Sequence, residues 1–159
     1  MDEQVKEFLR ESNAIENVFD DDSLKQAIKA WKYIVKFDKL TIDNILKTHA
    51  ILMQNQPIAP EEKGHFRQRP VWIGGHQAKS WWAITVLMTN WIRDVNSHVW
   101  SEDDDIPKEE HIYFEAIHPF VDGNGRLGRI LLNWQRIRLG LPILIIKNDE
   151  KQKYYEWFQ

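Results

Sequence analysis

A chain of 159 residues, 43% apolar and 28% charged, suits a single domain with a real core, and no apolar run approaches membrane-spanning length. A net charge of −3 gives no electrostatic case for nucleic acid or an anionic membrane as the main partner. The absence of cysteine excludes disulfides and thiolate metal sites, and the opening Met1-Asp2-Glu3-Gln4 has no signal-peptide character, so a cytoplasmic protein is expected.

Residues 2 to 17 predict a short amphipathic helix (Val5, Phe8, Leu9, Ile15) with a second, polar piece from Ser12 to Asn17. Asp20 to Ser23 caps the next helix, where Leu24, Ala27, Ile28, Trp31, Ile34 and Val35 recur at core spacing and the lysines mark the solvated face. Thr41 caps a third, with Ile42, Ile45, Leu46, His49 and Met53 on one side, so His49 reads as a hydrogen-bonded core histidine. Pro57 and Pro60 stop that helix. From Gly64 to Gly75 the helical period disappears, and Val71, Trp72 and Ile73 between glycines predict a small hairpin. An exposed edge of this kind can pair with an extended peptide. Ser80 then caps a long helix with Trp81, Ile84, Met88, Trp91, Ile92 and Val95 inward. Beyond an acidic loop, Ser101 to Asp105, Pro107 suits the first turn of a helix carrying His111 and Glu115. A further helix runs to about Arg138 and stops at Gly140 and Pro142, and a short one, Glu150 to Phe158, closes the chain. No repeat or linker interrupts 1–159, so the chain reads as one all-α domain with one small hairpin.

The chemistry concentrates in His118-Pro119-Phe120-Val121-Asp122-Gly123-Asn124-Gly125-Arg126-Leu127-Gly128-Arg129. Pro119 ends one helix and the stretch runs into the next, so its middle is a loop feeding a helix N-terminus. Unpaired amides there form an anion site, and Gly123 and Gly125 let the backbone approach a ligand. Arg126 and Arg129 share one face where arginine is locally unfavourable, a conflict that a polyphosphate removes. Asp122 would repel such an anion unless it holds a divalent cation, and Mg²⁺ is usually bound by carboxylate plus phosphate oxygens. His118 is the one neutral base in the stretch. Together these residues describe a phosphoryl- or nucleotidyl-transfer site. Two rival readings are weaker. Gly123 to Gly128 also fits G-x-G-x-x-G, but no strand precedes it. His111, Glu115 and His118 share a helical face as a metal triad would, but packing or surface roles suit His111 and Glu115 better.

These twelve residues resemble the signature of the Fic (filamentation induced by cAMP) family, H-x-F-x-(D/E)-G-N-G-R-x-x-R, at every fixed position. The resemblance implies an all-helical Fic-type bundle and AMP transfer from Mg-ATP to a Tyr, Thr or Ser hydroxyl of a target protein. Phosphate or phosphocholine transfer, AMP removal, or a nucleotide-holding toxin-like module are the alternatives. By resemblance His118 is the base and Asp122 the Mg²⁺ ligand. Asn124 with the Gly123 and Gly125 amides takes the α-phosphate, Arg126 and Arg129 the outer phosphates, and Asn133 the adenine. Tyr154 and Tyr155 resemble residues flanking the family's nucleotide pocket, though core roles suit them equally. Gly64 to Gly74 resembles the family's flap, G-x-(F/Y)-R-x-x-x-V-x-I-G, which implies that Arg67, Val71 and Ile73 help dock the target. Ser12, Glu16 and Asn17 match the inhibitory pattern (S/T)-x-x-x-E-(G/N). That implies an inhibitory region, residues 1–22, ahead of a Fic core at 23–159, a bidentate pair from Glu16 to Arg129, and no separate antitoxin.

Overall fold

The computed structural model describes residues 1–159 as a bundle of helices with one two-stranded hairpin. Helix α1 spans Glu3–Ile15, α2 Asp21–Ile34 and α3 Ile42–Leu52; strands β1 (Trp72–Ile73) and β2 (His76–Gln77) follow. Helices α4 (Ile84–Ser97), α5 (Asp105–Ile117), α6 (Asn124–Arg138) and the short α7 (Lys151–Tyr155) complete the order.

Local chemistry sets most of these boundaries. Asp20 accepts the Ser23 amide at 2.9 Å, and Asp21 and Asp22 lie where the α2 dipole favours acids. Thr41 and Asn44 exchange bonds with each other's backbone in a capping box. Gly74 and Gly75, with φ of 54° and 86°, supply the left-handed turn that a two-residue hairpin needs. Helix α1 is continuous through Ser12 and Asn13, which are buried, so the expected separate polar piece is its last turn. Helix α4 starts later than expected. Trp81–Ala83 form a tight 3-10 turn, Ser80 makes no capping bond, and Trp81 faces solvent because three residues per turn shift the facing side.

One apolar cluster joins Phe8 and Leu9 of α1, Trp31 and Ile34 of α2, Ile45 and Leu52 of α3, Met88 and Trp91 of α4, and Phe114 and Ile117 of α5 around α6. Helix α6 is the central element, buried at nearly every position from Asn124 to Arg136. Its approach to α5 depends on Gly128, where a Cβ would strike the Glu115 carboxylate and come 2.9 Å from His111 Cε1 and 3.1 Å from Phe114 Cδ1. Gly128→Ala is therefore expected to lower stability by about 1–3 kcal/mol, the usual cost of overpacking a dense contact. Chemical denaturation would read this, and an unchanged midpoint would show that Glu115 yields freely.

Candidate active site

The loop between α5 and α6 is built by its neighbours. His118 ends α5 in the left-handed region (φ 51°, ψ 62°), which a non-glycine residue occupies at a cost and which recurs at functional sites. Its amide still bonds Phe114 O at 3.0 Å. Asn124 closes the loop on itself, its side chain accepting the Phe120 amide at 2.9 Å and donating to the Phe120 carbonyl at 2.8 Å. These two bonds shape the loop, and Asn124 also lines the cavity beside it. Leu127 is the first α6 residue to bond back along the helix, onto Gly123 O at 2.9 Å. The amides ahead of it have no earlier turn to bond.

Arg67 lies ahead of the hairpin strands. It is buried, donating Nε to His118 O at 2.7 Å, one Nη to Arg69 O at 3.0 Å and the other to the carbonyls of Ile117 and Lys79. A guanidinium offers five donors and no acceptor, so carbonyl oxygens from three segments can share it. Arg67 thus ties the root of the hairpin to the end of α5. Val71 and Ile73 lie beyond that anchor. Val71 O accepts the Ala78 amide at 2.9 Å, and Ile73 is exposed on the strand.

His118, Asp122, Gly123, Asn124, Gly125, Arg126 and Glu16 line a cavity of about 140 Å³. Burial, partly offset by the Glu115 backbone, lowers the His118 pKa from its ordinary value, so the ring is neutral at neutral pH. Its Nδ1 is buried without a hydrogen-bond partner. The Asp122 side chain is half exposed, with Oδ1 accepting the Gly123 amide at 2.8 Å and Oδ2 lying 3.7 Å from Arg126. Arg126 is buried and also reaches Gln56 Oε1 at 3.2 Å, a partner that nothing in the sequence singled out.

Arg129 makes four hydrogen bonds. Its Nε donates to Ser12 Oγ at 2.8 Å, and one Nη to Tyr154 Oη at 3.3 Å. Its other Nη donates to Ser12 O at 3.0 Å and to Glu16 Oε1 at 2.7 Å. The Glu16 contact is a single bond, not a bidentate pair, because Ser12 takes the rest of that edge. Asn17 is in the left-handed conformation (φ 59°), with its amide on Ala14 O and the Val18 amide on Asn13 O. That is a Schellman stop, and it presents Glu16 just past the end of α1. A Cβ on Gly125 would collide with Glu16 Oε1, so this glycine leaves room for the carboxylate.

A larger cavity of about 620 Å³ continues past Arg129 and His118, walled by Ile73, Ile112, Ala116, Tyr154 and Tyr155, with Glu115 at its edge. Tyr154 is at once core and pocket wall, since its hydroxyl meets His111 Nε2 at 2.7 Å. His111, Glu115 and His118 do not converge as a metal triad, and no group of three potential ligands occurs anywhere. Burial lowers the His111 pKa to about 3 and raises that of Glu115 to about 7. Asn133 stays out of both cavities. Its amide donates to Leu144 O at 2.9 Å and accepts the Leu144 amide at 2.8 Å, pinning the segment after α6.

With this geometry in hand, the relatives are informative. The Fic/DOC family model matches residues 39–135. Proteins named protein adenylyltransferase Fic from Drosophila persimilis and Drosophila melanogaster are 33% and 34% identical over 136 residues, 82% of this chain. The chain spans about a quarter of the length of these curated relatives, 26% and 27%. Among solved structures, a Fic domain-containing signaling protein from Bacteroides thetaiotaomicron superposes with a TM-score of 0.82 at 20% identity, covering 97% of this chain and 70% of that one. Fic-1 from C. elegans superposes with a TM-score of 0.74 at 22% identity, covering 98% and 55%. The helical bundle, the hairpin and the loop entering α6 are those of a family fold, and this chain belongs to the Fic/DOC family.

Proposed function

We propose that the domain transfers AMP from Mg-ATP to a Tyr, Thr or Ser hydroxyl of a target protein, and that Glu16 holds it nearly silent. The observation that carries this reading is one cavity lined by His118, Asp122 and the residues that open α6. The adenylyltransferase name of the relatives supports the same chemistry. Asp122 fits a Mg²⁺ ion because its carboxylate is half exposed toward the cavity. No group of three potential protein ligands surrounds it, so phosphate oxygens would complete the shell. Bound there, the ion would neutralise charge on the departing pyrophosphate.

In this reading the free amides of residues 124–126 cradle the α-phosphate, and Arg126 lies under the outer phosphates. Neutral His118 takes the proton of the incoming hydroxyl at Nε2 while that oxygen bonds the α-phosphorus and the bond to pyrophosphate breaks. A depressed His118 pKa has a defined sign: the base form is lost only as pH falls through a value below the ordinary 6.5. The nucleoside suits the larger cavity between Ile73, Ala116 and Tyr155. ATP and a hydroxyl-bearing protein are the proposed partners, with Glu16 in the chain doing what a separate antitoxin would do. No helix of the molecule is long and apolar enough to cross a membrane.

The test is incubation of the Glu16→Gly protein and a cell lysate with α- and γ-labelled ATP. Label from the α position supports AMP transfer, and label from γ alone overturns it. The hairpin gives a further expectation. Ile73 is exposed on a strand whose outer edge is unpaired. Ile73→Glu is expected to cut labelling of a protein target about tenfold and to weaken ATP binding less, because Ile73 walls only one side of the nucleoside cavity whereas an edge strand sets the register of the whole peptide. Equal loss of both would make the hairpin part of the nucleotide site alone.

A further inference from the structure

His49 is buried at 0% exposure in α3, and it bridges two pieces of chain, the segment leading into the hairpin and the loop before α6. The Gly64 amide lies 2.9 Å from its Nδ1, and the Asp122 carbonyl lies 2.9 Å from its Nε2. A backbone N–H can only donate and a carbonyl can only accept. The ring is therefore the neutral tautomer with its proton on Nε2, and both nitrogens are used. Its face stacks on Phe120, with centroids 3.8 Å apart and planes 7° from parallel.

Across the loop, Arg67 holds the His118 carbonyl at 2.7 Å. The two lips of the loop are thus gripped by side chains from one connected stretch, His49 on one side and Arg67 on the other. Asp122 has its carbonyl fixed by His49 and its Oδ1 fixed by the Gly123 amide at 2.8 Å. We propose that His49 is a positioning residue: by fixing the Asp122 peptide against Gly64, it sets the direction in which the Asp122 carboxylate presents to Mg-ATP. The inference rests on the transfer reading only for the identity of the ligand. Outer partners that orient a metal ligand typically govern affinity by 10- to 100-fold, so a loss of about tenfold is expected when the bridge is removed.

The experiment compares His49→Phe with His49→Gln in the full chain carrying Glu16→Gly. Phenylalanine keeps a ring to stack on Phe120 and removes both hydrogen bonds. Glutamine keeps one acceptor and one donor. Calorimetry of ATP binding across a Mg²⁺ series should show His49→Phe needing about tenfold more Mg²⁺ and His49→Gln recovering most of the loss. Hydrogen exchange at Gly64 should quicken in His49→Phe alone. Full Mg²⁺ sensitivity in folded His49→Phe, or equal loss in both variants, overturns the proposal. Should His49→Phe not fold, ¹⁵N spectra of the unmodified chain decide: a ring proton on Nε2 is required, and a proton on Nδ1 overturns it. Because binding is read without turnover, absence of AMP transfer in the Glu16→Gly protein would count against the proposed function and leave this result standing.

Discussion

Glu16→Gly is expected to raise AMP transfer about 10- to 100-fold over the unmodified chain. The bond from Arg129 to Glu16 is charge-assisted, 2.7 Å long, and made by a guanidinium that is almost wholly buried. Such bonds contribute about 1.5–3 kcal/mol, and each 1.36 kcal/mol is tenfold in rate. The carboxylate itself is 38% exposed, which places the gain nearer the lower end of that range. Removing it leaves Ser12 and Tyr154 still holding the guanidinium in place. The freed Nη is then available to a terminal phosphate. Label transfer from α-labelled ATP, with Arg129→Ala in the same background as control, checks this. Unchanged transfer in folded Glu16→Gly protein, with Arg129 still required, would remove Glu16 from any inhibitory role.

His118→Ala in the Glu16→Gly background is expected to lower transfer by about 10²–10⁴-fold, the usual contribution of a positioned general base. ATP binding should change little, since the loop is held by Asn124, His49 and Arg67 and none of their bonds uses the His118 ring. The rate profile of the parent offers an independent check. Its acid limb should lie below pH 6.5, as a lowered His118 pKa requires. A variant that retained transfer would assign the base elsewhere.

What the sequence disclosed follows from the range of the forces involved. Caps such as Asp20 and Thr41 act within three or four residues, so their effect is visible in a short window. The motif from His118 to Arg129 is contiguous, and its conflict of arginines at a helix start is visible without a partner. Long-range choices are not. Nothing in the spacing of Gln56, Tyr154 or His49 announces that they meet Arg126, Arg129 and Asp122. The partners of Arg67, Asn124 and Asn133 are backbone groups that no short window displays, because a polar side chain's partner depends on which backbone groups the fold leaves unpaired. Glu16 was recognisable only by resemblance, and Asn17 beside it proves to be a backbone requirement: a left-handed stop favours glycine or asparagine there.

Helix α1 shares its core side with the rest of the bundle through Val5, Phe8 and Leu9. An activating signal therefore cannot lift the whole helix away without opening the domain. In the proposed reading the cheaper movement is fraying of its final turn, residues 13–17, which needs only local unfolding on microsecond-to-second timescales. Control of this kind behaves as a rheostat. Each binding event or modification near Asn17 would tilt the occupancy of Arg129 by a fraction, and output would rise continuously with the size of that tilt.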